Sequence, residues 1–93
     1  MELNKQHIRR RTLKQIIASA GKNLHTVIIK AREKDGSVET REAEPYSYRI
    51  TNGEEKFFCY DIKKGGIRNF AVINILSVEE TNNKFTPRWA VEV

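Results

Sequence analysis

The chain has 93 residues and a formal net charge of +5 at pH 7, with 31% charged and 39% hydrophobic residues. This length predicts one domain with a single modest core and excludes a second domain. No window approaches eighteen consecutive apolar residues and the first fifteen residues are mostly charged or polar, so we expect no membrane span, signal peptide or membrane partner.

One amphipathic helix is predicted over about residues 4–20. Asn4 is a suitable N-cap, and Gly21 is a suitable point for the helix to stop. Between them, apolar residues recur at the spacing i, i+3, i+4 and i+7, which directs one stripe toward a core. The stripe consists of Leu13, Ile16, Ile17 and Ala20.

The charge is concentrated at the start of the chain. Residues 1–34 hold nine Lys/Arg and two acids, giving +7, whereas residues 35–93 hold eight and ten, giving −2. Such a basic end indicates attraction to phosphate or to an acidic partner, although a solvated helix face is an equally good interpretation. The candidate nucleic-acid patch consists of Arg9, Arg10, Arg11 and Lys14.

After Leu24 the hydrophobic period changes to two, which is typical of strands. Asp35-Gly36 and Asn52-Gly53 predict hairpins, because tight primed turns need positive φ. Pro45 has no N–H for a ladder, so it predicts a break, a bulge or an edge. The predicted strands are residues 26–32, 37–44, 46–51, 56–62, 67–72 and 75–81.

Five or six short antiparallel strands after one helix predict an α+β fold, with the N-terminal helix packed on a small SH3/Sm-like β-barrel. The chain is then a single domain, residues 1–93, with the barrel over about 24–81 and a tail over 82–93. Residues 82–84 resemble a loop. Trp89, Val91 and Val93 form an alternating apolar stripe, which we expect to pack on its own barrel or on a second copy in a homo-oligomer.

Catalysis is not predicted, because no Gly-rich phosphate loop or nucleophile elbow is present. Cys59 lies between two aromatic residues on a strand, which favours a small core thiol over a nucleophile paired with His25. One cysteine cannot form an internal disulfide, which indicates a reducing cytoplasm. No metal or other cofactor is expected, because Cys59, His7 and His25 lack the paired spacings of zinc sites.

Binding is the stronger hypothesis. On alternating strands, rings and cations fall on shared faces, as in surfaces that bind nucleotides or single-stranded nucleic acid. For the phenylalanines, packing in the core is the favoured alternative. The two strand arginines each need a partner or a ligand. The candidate ligand-binding residues are Arg41, Tyr46, Lys56, Tyr60 and Arg68.

Residues 41–75 resemble the WYL domain, a small β-barrel module found mostly in bacterial transcription regulators. The family pattern runs R-x-V-x-P-Y, N-G, W-Y-L, A-Y-D and G-x-I-R-x-F-R. The resemblance implies an SH3/Sm-like barrel whose pocket senses nucleotides or nucleic-acid fragments and switches a DNA-binding domain. Without a gap, the chain matches at Arg41, Pro45, Tyr46, Gly53, Tyr60, Asp61, Gly65, Ile67, Arg68 and Phe70.

The chain departs from the family where the pocket is expected. The W-Y-L tripeptide aligns with Glu55, Lys56 and Phe57, and the second arginine of R-x-F-R is Ala71. Each lost charged hydrogen bond costs about 1.5–3 kcal/mol, so the ligand differs or the pocket has become an interaction surface. The family's helix-turn-helix has no room here, which suggests a separate DNA-binding regulator as partner.

The sequence therefore predicts a non-enzymatic ligand-binding or regulatory module for a nucleotide or single-stranded nucleic acid, in a bacterial transcription-regulation context. The alternative is a protein-interaction or oligomerisation domain with a vestigial pocket. The two differ in which residues matter: ligand binding depends on the strand arginines, and assembly depends on the apolar tail.

Overall fold

One helix packs on a five-stranded antiparallel sheet in the computed structural model, which describes residues 11–93. The elements in chain order are α1 (Leu13–Asn23), β1 (His25–Arg32), β2 (Val38–Thr51), β3 (Glu54–Asp61), β4 (Gly66–Ala71), a 3₁₀ helix (Val72–Asn74) and β5 (Ile75–Lys84). The strand order is β4-β3-β2-β1-β5, and α1 packs against β5, β1 and β2.

The predicted α+β class is confirmed, but the sheet does not close into a barrel. Within residues 11–93 the two edge strands, β4 and β5, do not pair with each other. The 3₁₀ helix that follows β4 leads the chain to β5 on the opposite edge of the sheet, so the sheet stays open between these two strands. The architecture remains consistent with a small SH3/Sm-like fold.

Helix α1 begins later than the sequence predicts. The predicted start at Asn4 lies outside the described residues, and the first helical residue in the described part is Leu13. Thr12 caps the helix: its Oγ1 accepts from the backbone N–H of Gln15 at 3.1 Å, and the Gln15 side chain accepts from the Thr12 N–H at 2.8 Å. This reciprocal capping box holds Thr12 in an extended conformation and fixes the start of the helix.

The prediction that α1 stops at Gly21 is wrong. The helix continues to Asn23, and Leu24 takes the left-handed φ of 56° that ends it. Gly21 is buried because the end of the chain passes over it, and a Cβ at this position would overlap the Cγ2 atom of Val93. The glycine therefore provides space for a tertiary contact and does not terminate the helix.

Hairpins form at both predicted places, β1–β2 and β2–β3, although at Asp35-Gly36 only the glycine has positive φ. The predicted strand boundaries are less accurate. Asn52 and Gly53 both have positive φ, at 53° and 78°, as a primed turn requires. Pro45 marks a bulge within one long strand, β2, and does not end it. Residues 82–84 belong to β5 and are not a loop, because the strand stays paired as far as Lys84 opposite His25.

The core lies between α1 and the sheet. Buried residues of β1 alternate at Val27, Ile29 and Ala31, as a half-buried strand predicts. The predicted helical stripe is confirmed, since Ile17 and Ala20 are fully buried. The remaining buried apolar residues of this cluster are Ala43, Phe57, Cys59, Phe70, Ile75 and Val78.

A carboxylate on β5 ties the end of α1 to the sheet. The Glu80 side chain is 14% exposed, and it accepts hydrogen bonds from Ser19 Oγ at 2.6 Å and Asn23 Nδ2 at 2.9 Å. His25 Nδ1 lies 2.7 Å from the second carboxylate oxygen. Burial raises the pKa of Glu80, but the hydrogen bonds from Asn23, Ser19 and His25 outweigh it, so the net pKa lies below the ordinary 4.5.

This lowered pKa predicts a pH-dependent stability. Folding favours the ionised Glu80, so its contribution is complete above the unfolded pKa of 4.5 and disappears as pH falls through the lower folded pKa. We expect Glu80→Gln to lower the free energy of unfolding by about 1 kcal/mol at neutral pH and by less in acid. Urea unfolding across this pH range checks it, with the exposed Glu79→Gln as control. An equal loss at both ends of the range would contradict the assignment.

Candidate ligand-binding groove

Asp61 joins the two strand arginines that the sequence nominates as ligand-binding residues. Its side chain is 1% exposed at the end of β3. Arg41 donates from NH1 to Oδ2 at 3.1 Å, and Arg68 NH1 lies 3.8 Å from the same oxygen. The backbone N–H of Lys64 donates to Oδ1 at 3.0 Å, which fixes the β3–β4 turn. The arginines are therefore brought together by a buried carboxylate.

Two further carboxylates complete this ion-pair cluster. Arg68 NH2 donates to Glu33 at 3.0 Å, and Arg41 NH2 donates to Glu39 at 2.5 Å. Glu33 lies in the β1–β2 loop, so this pair connects β4 to a segment that is not its ladder neighbour. Among residues 11–93, Glu33 Oε2 and Arg41 Nε are buried without a hydrogen-bond partner. The cluster therefore keeps one acceptor and one donor that a bound polar group or a water molecule would satisfy.

A groove of about 290 Å³ opens beside this cluster, and we call it the basic groove. Its rim carries Arg32 and Lys34 from the end of β1 and the loop after it, and Lys56 from β3. Within the described part of the chain, no carboxylate lies within ion-pair distance of Arg32 or Lys34, and Lys56 Nζ lies 3.8 Å from Glu54. The lining holds four cations, namely Arg32, Lys34, Lys56 and Arg68, and two carboxylates, Glu33 and Glu54.

The floor of the basic groove is partly aromatic. The guanidinium carbon of Arg68 lies 4.6 Å from the ring centroid of Phe70, a cation–π distance. The Phe70 residue is only 6% exposed and Phe57 is fully buried, so the core interpretation of these phenylalanines is confirmed. Asn69 and Asn74 add amide groups to the lining. The groove offers cations and amides to a ligand, and among residues 11–93 its lining has no freely accessible ring on which a base could stack.

The other two nominated residues, Tyr46 and Tyr60, lie elsewhere and are covered by the end of the chain. Trp89 stacks on Tyr46, with ring centroids 4.3 Å apart and an interplanar angle of 24°. The guanidinium carbon of Arg88 lies 3.8 Å from the centroid of Tyr60. Tyr46 is 2% exposed, and this burial, together with the hydrogen bond to Glu44, raises its pKa to about 12.

A buried carboxylate anchors this covering segment. Glu44 is 5% exposed and accepts from the Tyr46 hydroxyl at 2.7 Å. It also accepts from Arg88 Nε at 3.0 Å and NH2 at 3.3 Å, a two-point pair that raises the pKa of Arg88. The Arg88 backbone N–H donates to the Tyr46 hydroxyl at 3.0 Å. The sequence analysis missed Glu44 and Arg88, because no local pattern connects residues 44 positions apart.

We call residues 88–93 the tail segment. It makes one backbone–backbone hydrogen bond to the sheet, from the Glu92 N–H to the Tyr46 carbonyl at 2.6 Å, and the Glu92 carboxylate lies 3.2 Å from Arg49. Val91 and Val93 cover Gly21. A cavity of about 370 Å³ remains between this segment and the sheet. The stripe thus packs on its own chain without becoming a strand, but Trp89 remains 43% exposed. Assembly through the tail stays a prediction.

The predicted nucleic-acid patch is only partly within the described residues. Arg9 and Arg10 lie outside them. Arg11 NH2 is 3.8 Å from Glu80, and Lys14 Nζ is 5.4 Å from the ring centroid of Tyr48. Neither side chain lines the basic groove, so the patch stays a separate prediction.

The described residues also bear on the thiol, on metals and on membranes. Burial raises the pKa of the Cys59 thiol to about 12, as suits a core cysteine. In residues 11–93, no group of three or more His, Cys, Asp or Glu residues is arranged to hold a metal ion. The same range contains no helix of the length and apolar character needed to cross a membrane.

Comparison with known proteins places only the fold. No protein-family model matches the sequence, and no curated protein matches it. A solved structure of proteasome accessory factor B/C (PafBC) of Arthrobacter aurescens is similar, with a TM-score of 0.70 and 16% sequence identity. The match covers 90% of this chain and 12% of that chain, so this chain corresponds to a small part of the larger protein.

Proposed function

We propose that this chain is a non-enzymatic binding module for a phosphate-bearing ligand, a nucleotide or a short single-stranded nucleic acid, held in the basic groove. The observation that carries the proposal is the convergence of Arg32, Lys34, Lys56 and Arg68 on one groove of about 290 Å³. Guanidinium and ammonium groups form short, strong hydrogen bonds with phosphate oxygens. Because the lining also holds two carboxylates, its formal net charge is +2.

The cations divide into fixed and available groups. Arg68 is held by Glu33 and Asp61, so it presents a preorganised guanidinium edge at the groove. Arg32 and Lys34 are both exposed, and no carboxylate of the described residues lies within ion-pair distance of either. A phosphate in the groove would neutralise the available cations at low desolvation cost. Phosphate contacts then contribute most of the affinity, which makes binding strongly dependent on salt.

The regulatory part of the proposal rests on resemblance. Residues 41–75 follow the WYL pattern at ten positions, and the fold shared with a small part of PafBC is compatible with that pattern. We therefore propose a divergent WYL-like module that acts in bacterial transcription regulation together with a separate DNA-binding regulator. A cytoplasmic location is part of the proposal, and the single buried thiol of Cys59 supports it.

Fluorescence anisotropy with short labelled single-stranded oligonucleotides and a labelled nucleotide tests the proposal. We expect Lys56→Ala to weaken binding about tenfold at low salt, because a charged hydrogen bond contributes about 1.5 kcal/mol. The wild type should lose affinity as salt rises, and the variant should show a smaller salt slope. Arg68→Ala is less suitable as a test, since it also leaves Glu33 unpaired.

Lys63→Ala is the matched control, because Lys63 is an exposed lysine in the β3–β4 turn, at the other end of β3 from Lys56. It removes the same charge and should change affinity far less. Equal losses of affinity in the two variants would mean that binding depends on the net charge of the protein and not on the basic groove. No binding at low salt would favour the alternative function, an interaction module whose pocket is vestigial.

A further inference from the structure

The sheet face formed by Glu44, Tyr46 and Tyr60 has the features of a peptide-recognition groove, and the tail segment occupies it. Each anchor of the segment has its own site on the sheet. Arg88 pairs with Glu44 at 3.0 Å, and Trp89 stacks on Tyr46 at 4.3 Å. We propose that this groove also accepts the tail segment of a second copy, so that two chains exchange tails and each completes the other's site.

The anchors belong to side chains and not to a continuous ladder. The tail segment makes one backbone–backbone hydrogen bond to β2, from the Glu92 N–H to the Tyr46 carbonyl. The other polar contacts are the Arg88 pair with Glu44, the Arg88 N–H bond to the Tyr46 hydroxyl, and the pair between Glu92 and Arg49 at 3.2 Å. All of these contacts are available unchanged to an identical segment from another chain.

The connection between sheet and tail segment suits such an exchange. Strand β5 ends at Lys84. The backbone N–H of the next residue, Phe85, donates to the Leu24 carbonyl at 2.9 Å. Thr86 and Pro87 then cross to the groove as exposed residues without regular structure. Pro87 fixes its own φ and limits the compact turns open to this hinge. The segment docks within its own chain in this structure, and a short, stiff hinge lowers the cost of exchanging it with a second copy.

A second copy is the occupant that the contacts identify. The groove matches an arginine followed by an aromatic residue and then by alternating aliphatic residues, and every copy of this chain carries that segment. The groove is also larger than its present occupant, since about 370 Å³ stays open between Trp89 and the sheet residues Phe58 and Ile67. Small adjustments of an incoming segment are therefore accommodated.

A hinge deletion tests the proposal with the groove and the tail segment both intact. Removing Thr86 and Pro87 shortens the connection by at most about 7 Å, so we expect the segment no longer to reach its own groove. Analytical ultracentrifugation should then show a dimer. Its single tryptophan, Trp89, should have the same fluorescence emission as in the wild type. Arg88→Glu in the shortened chain should return it to a monomer, whereas the matched charge reversal Lys63→Glu should leave the dimer intact.

Mixing two full-length variants tests the exchange in the natural chain. In Glu44→Lys and in Arg88→Glu, like charges meet when the tail docks within one chain. In an exchanged heterodimer, one site joins the two substituted side chains, whose charges are again opposite, and the other site is wild type. Equimolar mixing should therefore produce dimers that neither variant forms alone. A folded, monomeric shortened chain overturns the proposal, whether or not the Glu44→Lys variant folds. A dimer that survives Arg88→Glu overturns it as well.

Discussion

Replacing Asp61 with alanine is expected to lower the free energy of unfolding by about 3–5 kcal/mol, the range for breaking a buried ion pair. The carboxylate is 1% exposed and receives Arg41 at 3.1 Å, with Arg68 at 3.8 Å. Its loss leaves two partly buried guanidinium groups without their shared partner and removes the acceptor of the Lys64 N–H. Urea unfolding at neutral pH, followed by circular dichroism, measures the effect.

Two further variants separate the contribution of the Asp61 charge from that of its hydrogen bond in the β3–β4 turn. Asp61→Asn keeps an acceptor for the Lys64 N–H and removes the charge, so we expect an intermediate loss. Asp35→Ala is the matched control, because among the described residues Asp35 bonds only to Ser37, within its own exposed turn, so we expect a small loss. If Asp61→Ala costs no more than Asp35→Ala, the cluster does not stabilise the fold.

The parts of the fold that sequence predicts are those encoded locally. A primed turn needs positive φ at both central positions, and Asn52 and Gly53 adopt it. The stripe of Ile17 and Ala20 follows from the helical period alone. Pro45 is open to three interpretations in the sequence, and the pairing of β2 with β3 selects the bulge.

The wrong boundaries depend on contacts distant in sequence. Glycine is a residue at which helices commonly end, but Gly21 lies inside the helix, where Val93, 72 positions away in sequence, packs over it. Residues 82–84 have the composition of a loop, but pairing with β1 extends the strand as far as Lys84. A single sequence records neither contact, because each depends on how the finished sheet positions the tail.

The candidate site shows the same division. Arg41 and Arg68 are strand cations in need of a partner, and that partner, Asp61, lies within the matched WYL pattern. Their meeting depends on the register of β2, β3 and β4, which sequence does not fix. The sequence predicts that the rings of Tyr46 and Tyr60 contact a ligand. In the structure, residues 88–89 cover both rings. Alternation cannot predict this covering, because residues 88–89 are distant in sequence from both rings.

The covering segment gives the second large expected effect. Arg88→Ala should lower the free energy of unfolding, although by less than the loss of a fully buried pair, because the Arg88 side chain is 46% exposed. The loss leaves the buried Glu44 with the Tyr46 hydroxyl as its remaining hydrogen-bond partner among the described residues. Trp89 should lose its stack on Tyr46, which shifts the emission of the single tryptophan toward longer wavelength.

A double-mutant cycle with Glu44→Gln isolates the pair from the packing of the tail. Because Glu44→Gln removes the buried charge, Arg88→Ala should lower the free energy of unfolding by less in that background than in the wild type. Arg49→Ala is the matched control, since Arg49 and Glu92 are both more than half exposed and such pairs contribute at most about 1 kcal/mol. Additive losses would mean that Glu44 does not hold the tail through Arg88, and Trp89 stacking alone would then account for the covered face.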